Sequence, residues 1–134
     1  MKKIRTFLIA AFLICFLAYF SSCQKDEDYN YFRIQVDSVY IPESVLASQP
    51  FEVEFYGIVG YNGCYSFEKF VSDKQNKTIL VEALGKYNVN SVCPTVMVYL
   101  NGKKIEFLLE EAGSYKLRIK QPEGTFLERQ FWVE

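Results

Sequence analysis

The chain has 134 residues, half of them hydrophobic and 17% aromatic, with 15 basic and 16 acidic side chains for a net charge of -1. A near-neutral, slightly acidic chain has no electrostatic footprint for nucleic acid, so that class of partner is set aside. It has no histidine, which removes Ser-His-Asp and Cys-His catalysis, His-ligated zinc or copper, and the usual general base near neutral pH.

The first 22 residues read as a secretory signal. Lys2, Lys3 and Arg5 make a positive start, and the stretch from Thr6 to Phe20 is almost wholly apolar. At about 14 residues it is shorter than the roughly 20 needed to span a bilayer as a helix, and it suits the core of a signal peptide. Ser21 and Ser22 then lead into Cys23. Small residues directly before a cysteine resemble the lipobox of bacterial lipoproteins, although Phe20 stands where that family usually has Leu. The resemblance implies cleavage before Cys23 and acylation of that cysteine, with palmitate among the chains, so that lipid ties the protein to a membrane. An ordinary secretory peptide, or an uncleaved anchor with Cys23 incidental, is the alternative. Losing Lys2, Lys3 and Arg5 moves the net charge from -1 to about -4.

Residues 23–30 form a short, acid-rich tether ahead of a domain at 31–134. Its start (Cys23, Gln24, Lys25, Asp26, Glu27, Asp28) resembles the export signal of surface lipoproteins in the Bacteroidota. That likeness implies an outer-membrane protein displayed on the cell surface; a plain acidic spacer would leave it on the periplasmic face.

From Tyr31 onward the apolar residues repeat every second position. Phe32, Ile34 and Val36 alternate with Arg33, Gln35 and Asp37; Phe51, Val53 and Phe55 alternate with Glu52 and Glu54. Weaker strands are expected at 64–71, 78–84, 95–100, 104–109 and 125–133. Tyr115, Leu117 and Ile119 alternate with Lys116, Arg118 and Lys120. Each strand has one buried and one wet face. Asn101-Gly102 favours a two-residue hairpin turn, pairing Val98 with Ile105 and Val96 with Phe107; one long bulged strand is the alternative. Seven or eight short strands in a single domain of about 112 residues predict an all-β, two-sheet antiparallel sandwich. The run from Leu109 through Glu110, Glu111, Ala112, Gly113 and Ser114 to Tyr115 resembles the turn and tyrosine corner of immunoglobulin-like domains. The likeness implies a ring packed inward with its hydroxyl on a nearby backbone group.

Cys15 leaves with the signal and Cys23 takes the lipid, so Cys64 and Cys93 remain. In an oxidising compartment one disulfide is favoured over two free thiols or a metal pair. Closing a loop of about 30 residues is worth roughly 3.5 kcal/mol. Cys93 is expected to end a loop at 85–92.

Candidate chemistry is sparse. There is no phosphate-binding glycine loop and no nucleophile elbow. Glu52 with Glu54, and Glu110 with Glu111, are the only carboxylate pairs of note. Two facing carboxylates can cut a glycosidic bond, but alternating Glu on a strand is usually its wet face, so no catalytic residue, cofactor or metal site is assigned. The stronger candidate is the glycine-rich loop 57–63, holding Tyr61 and flanked by Tyr56 and Tyr65. Tyr87 is expected beside Tyr61 once the disulfide forms. Tyr suits sugars and proteins because it offers a flat apolar face with a polar tip; the same rings also serve to cap a core. Trp132 has outward parity and is either an exposed contact or the cover of an edge strand. Asp37-Ser38-Val39 resembles the O-glycosylation triplet of the Bacteroidota, and Asn76-Lys77-Thr78 is an N-glycosylation sequon; such short matches arise often by chance. The sequence therefore favours a non-catalytic, lipid-anchored module that binds a glycan or an envelope protein. An accessory subunit of an outer-membrane assembly stands second, and a carboxylate hydrolase third.

Overall fold

Alternating patterns of this kind bury one side of each strand, and two such sheets must close on each other. The computed structural model describes residues 28–134. The signal segment, Cys23 and the first part of the tether lie outside the described residues.

Among the described residues there are ten strands: β1 (Tyr29–Arg33), β2 (Ser38–Tyr40), β3 (Pro50–Tyr56), β4 (Ile58–Gly60), β5 (Tyr65–Gln75), β6 (Thr78–Asn88), β7 (Val98–Tyr99), β8 (Lys103–Leu108), β9 (Gly113–Lys120) and β10 (Phe126–Val133). The described residues form an all-β sandwich, and β2 and β4 are short strands added to those the alternation predicts. The tether gives way to strand at Tyr29, sooner than expected, because Tyr29 and Asn30 pair with Asn88 and Tyr87.

One sheet is organised around β6. Its hairpin partner β5 follows one edge along its length, and the other edge is shared end to end by β1 and β9. The β6–β9 pairing is parallel, a departure from the all-antiparallel expectation; β10 then closes the sheet beside β9. The opposite layer is β2-β3-β8, continued by β4-β7. Hydrogen bonds from Leu100 to the Gly57 carbonyl and from Gly102 to the Phe55 carbonyl join these two ladders.

Those bonds overturn the hairpin expected at Asn101-Gly102. Both residues take positive φ, at 47° and 73°, and Lys103 N–H does reach the Leu100 carbonyl at 3.1 Å. The flanking strands nevertheless pair with the β3–β4 strand and not with each other. Ile105 lies opposite Val53, Phe107 opposite Phe51, and Tyr99 opposite Ile58. The turn residues form a bulge in one long strand, and pairing along β3–β4 satisfies more backbone than a closed hairpin would. The two-residue hairpin lies instead at Asn76-Lys77, between Gln75 and Thr78, with Asn76 at a φ of 53°.

The core follows the alternation. Phe51, Val53 and Phe55 of β3 face Ile79, Val81 and Ala83 of β6 and Tyr115, Leu117 and Ile119 of β9, all buried. On β5 the register shifts between Phe67 and Lys69, so Phe67 and Phe70 both turn toward the core and Phe70 meets Phe55 at 4.6 Å. Tyr115 forms the expected corner: its ring is buried and its hydroxyl donates to the Glu111 carbonyl at 3.0 Å. Burial raises its pKa above the usual phenol value, helped by nearby Glu111.

After Arg33 the chain leaves the first sheet and crosses to the second, so the strand expected to continue through Val36 stops short. Ile34 and Val36 stay buried. The Gln121 side chain replaces the missing strand partner: its Oε1 accepts from Val36 N–H at 3.1 Å and its Nε2 donates to the Val36 carbonyl at 3.2 Å.

Candidate functional site

The Cys64–Cys93 disulfide is formed, with Cα atoms 5.1 Å apart. It joins the turn ahead of β5 to the loop after β6. Asn62 sets that turn, its side-chain oxygen accepting from Cys64 N–H at 3.0 Å and its carbonyl from Tyr65 N–H at 3.2 Å. Gly63 N–H reaches the Pro94 carbonyl at 2.8 Å, so the two loops are tied by backbone as well as by sulfur.

Two glycines that read as loop punctuation are notches for aromatic rings. Gly60 ends β4, and a Cβ there would lie 2.0 Å from the Tyr65 ring; one at Gly85, inside β6, would lie 2.5 Å from the Phe32 ring. Each ring therefore rests directly on backbone, as a glycine within a strand permits. Phe32 and Tyr65 meet edge to face at 5.5 Å, and Tyr87 packs on Tyr65 at 4.7 Å. The expected neighbour of Tyr87 was Tyr61; its ring contact is Tyr65, and its hydroxyl lies 3.7 Å from Cys93 Sγ. The loop expected at 85–92 begins only after Asn88, because Gly85 continues the inward row of β6.

A groove of about 310 Å³ opens beside these rings. One wall is the crossing segment with Arg33, Gln35 and Asp37, and the other is β4 and its turn with Gly60, Tyr61 and Tyr65. Tyr61 is 72% exposed. Arg33 is held in place, with Nε and Nη2 donating to one oxygen of Glu82 at 2.9 and 2.7 Å. The guanidinium holds the Glu82 carboxyl below its usual pKa, and Lys120 adds to the effect. Gln35 and Asp37 are exposed, their side chains 3.4 Å apart. The groove thus combines flat apolar rings with one cation, one anion and one amide. That is the mix of many apolar atoms and few directed polar groups found in small-molecule sites, at the lower end of their roughly 300–1,000 Å³ range.

The remaining candidates lie elsewhere. The Tyr56 hydroxyl is engaged by Glu54 at 2.5 Å; that bond raises the tyrosine pKa and lowers that of the carboxyl. Trp132 is 62% exposed, on the edge strand β10. It borders a shallow hollow with Tyr40, Ile41 and Arg129. The edge beside it is closed at Val133 by a parallel bridge to Val45, with Ala47 N–H on the Glu134 carbonyl at 2.7 Å. Glu128, Arg129 and Gln130 separate Phe126 from Trp132 and are exposed, so the strand offers no continuous apolar strip.

Glu52 and Glu54 share Lys104, at 2.7 and 3.4 Å. The pKa of Glu54 is lowered, first by the Tyr56 hydroxyl and then by Lys104, which is the opposite of a general acid, since that needs its proton near neutral pH. Ser38 heads β2, opposite Tyr56, and Asn76 sits at the exposed tip of the β5–β6 hairpin. No protein-family profile, no curated protein and no solved structure matches this chain.

Of the residues forming the groove, sequence reasoning found Tyr61 and Tyr65 and missed Phe32, Arg33, Gln35 and Asp37. Their signal was the run from Phe32 to Asp37, read there only as strand alternation.

Proposed function

We propose that this protein is a non-catalytic envelope module, anchored by lipid on Cys23 and displayed on the outer surface of the outer membrane, that binds a glycan. The groove between Arg33–Asp37 and Tyr61–Tyr65 carries the reading. Aromatic faces pack against the C–H faces of a sugar ring, while Asp, Gln and Arg side chains match pairs of hydroxyls with directed hydrogen bonds. Its volume suits one or two sugar units.

Binding is tested on an immobilised panel of neutral and acidic oligosaccharides. The chain should be retained by a subset, and Tyr61→Ala should weaken retention by about tenfold or more, as expected when an exposed aromatic anchor is removed. Retention by none, or undiminished retention of Tyr61→Ala, sinks the glycan reading. Mass spectrometry of membrane-recovered protein tests the anchor, which requires an acylated Cys23 at the N-terminus. Protease treatment of intact cells tests display: replacing residues 24–28 with alanine should protect a chain that is otherwise digested.

A further inference from the structure

The end of the sandwich that carries the disulfide bears no charge over two long stretches. No Asp, Glu, Lys or Arg occurs from Phe55 to Phe67 or from Tyr87 to Gly102. Within the second stretch, the loop between β6 and β7 turns its apolar side chains outward: Val92 is 97% exposed, and Val89, Val96 and Met97 are exposed with it. Side chains of this kind gathered on one loop are unusual on a soluble surface and mark a contact.

Where the chain enters the domain identifies that contact. Asp28 is hydrogen-bonded to the start of the loop, its carbonyl accepting from Val89 N–H at 3.2 Å and its carboxylate from Asn90 Nδ2 at 3.5 Å. Only residues 24–27 separate Asp28 from Cys23, so a lipid on Cys23 is held within about 17 Å of Asp28 at full extension. The apolar N-terminal segment lies further along the same stretch of chain. A membrane attachment made there keeps the Val92 loop near the lipid surface, while the end of β10 that bears Trp132 lies away from it: Trp132 pairs with Ser114 at the start of β9, which lies beside the start of β6 and hence at the other end of the sheet.

We infer that the loop at 89–97, with Val92 at its tip, rests in the interfacial layer of the membrane that holds the N-terminus. The disulfide end is then the membrane-facing end. Uncharged Val and Met side chains enter the boundary of headgroups and acyl chains, and Tyr99, exposed and with its hydroxyl donating to Met97 Sδ at 3.3 Å, suits the same layer. Because Cys93 fixes the loop to β5, little ordering is left to be lost on contact. The inference rests on the anchored reading above and adds an orientation to it.

Trp132 is the only tryptophan in the chain, which supplies an internal control. Full chain recovered from membranes is added to phosphatidylethanolamine–phosphatidylglycerol vesicles with brominated acyl chains, and co-sedimentation is measured first. The native protein is compared with a double variant, Val92→Trp with Trp132→Phe. In co-sedimented protein, emission of the indole at position 92 should shift to the blue and fall at least about twofold against unbrominated vesicles, as for a side chain 5–10 Å into the interface. Trp132 emission should not change. Equal emission at position 92 with and without bromine, in protein that does co-sediment, overturns the orientation and leaves the anchor standing. Failure to co-sediment removes both.

Discussion

The two ends of the sandwich are held together by different means. At the disulfide end, one covalent bond and the Gly63–Pro94 backbone contact fix two loops whose side chains are largely exposed. At the far end there is no such bond. There Tyr115 reaches Glu111, Lys77 Nζ reaches the Ala112 carbonyl at 2.7 Å, Ser48 N–H reaches the Leu109 carbonyl, and Val45 bridges Val133. Buried Leu109, Tyr115 and Val133 sit beneath these contacts. A loop that owes its shape to a disulfide need not bury its apolar residues, and so it can present them. A loop held by packing cannot. The aromatic groove and the uncharged tip both belong to the first kind of end.

The largest test of this contrast is to remove the staple. Cys64→Ser with Cys93→Ser should lower unfolding free energy by about 3.5 kcal/mol in urea titrations, and should weaken sugar retention more than an equal destabilisation placed elsewhere. If stability falls but retention is intact, the groove does not depend on the staple. At the far end, Tyr115→Phe leaves the Glu111 carbonyl without its partner and should cost about 1–2 kcal/mol with no change in retention. Gln121→Glu replaces a donor with an oxygen facing the Val36 carbonyl and should cost about 1 kcal/mol near neutral pH. Because Val36 lies beside the groove, this change should also blunt binding, whereas Tyr115→Phe should not.

A smaller effect is expected from acid. The Glu82 pKa is depressed in the folded protein, so its contribution is complete above the unfolded value and is lost as pH falls through the lower folded one. For this partly exposed pair the contribution is on the order of 0.5–1 kcal/mol. Urea midpoints at low salt should decline below about pH 4.5, and less steeply in Arg33→Met. An unchanged slope would place the depression on Lys120. The smallest effect belongs to Trp132→Ala, expected within about 0.5 kcal/mol of wild type because the ring lies mostly in solvent.

Much of the scaffold was legible because the signal has a period of two. The inward rows of β3 and β9, the corner at Tyr115 and the pairing of the last two cysteines all follow from the order of residues. Asn101-Gly102 was misleading for a physical reason: its positive φ values suit a hairpin and a bulge equally, and the choice was made by β3–β4, distant in sequence. The crossing after Arg33 was hidden because Ile34 and Val36 keep their alternation while the ladder beneath them is replaced by a glutamine. Phe32 escaped notice as a groove residue, and Tyr65 as a ring seated on backbone, because their receptors are Gly85 and Gly60, where the missing side chain is the feature. The likeness to a lipobox lies outside the described residues and still rests on Ser21, Ser22 and Cys23.

The parallel contact of β6 with β9 also bears on how this domain reaches its native form. Thr78 is the neighbour of Lys116, and everything between them, including the whole excursion through the opposite layer, must be laid down before that ladder can zip. Non-local pairing of this sort pays its chain-closure cost before any reward, which slows folding to milliseconds or longer. Until β9 arrives, the Thr78–Val81 edge of β6 is bare. The nascent chain therefore has an interval in which the buried row of β6, with Ile79 and Val81, is a sticky surface.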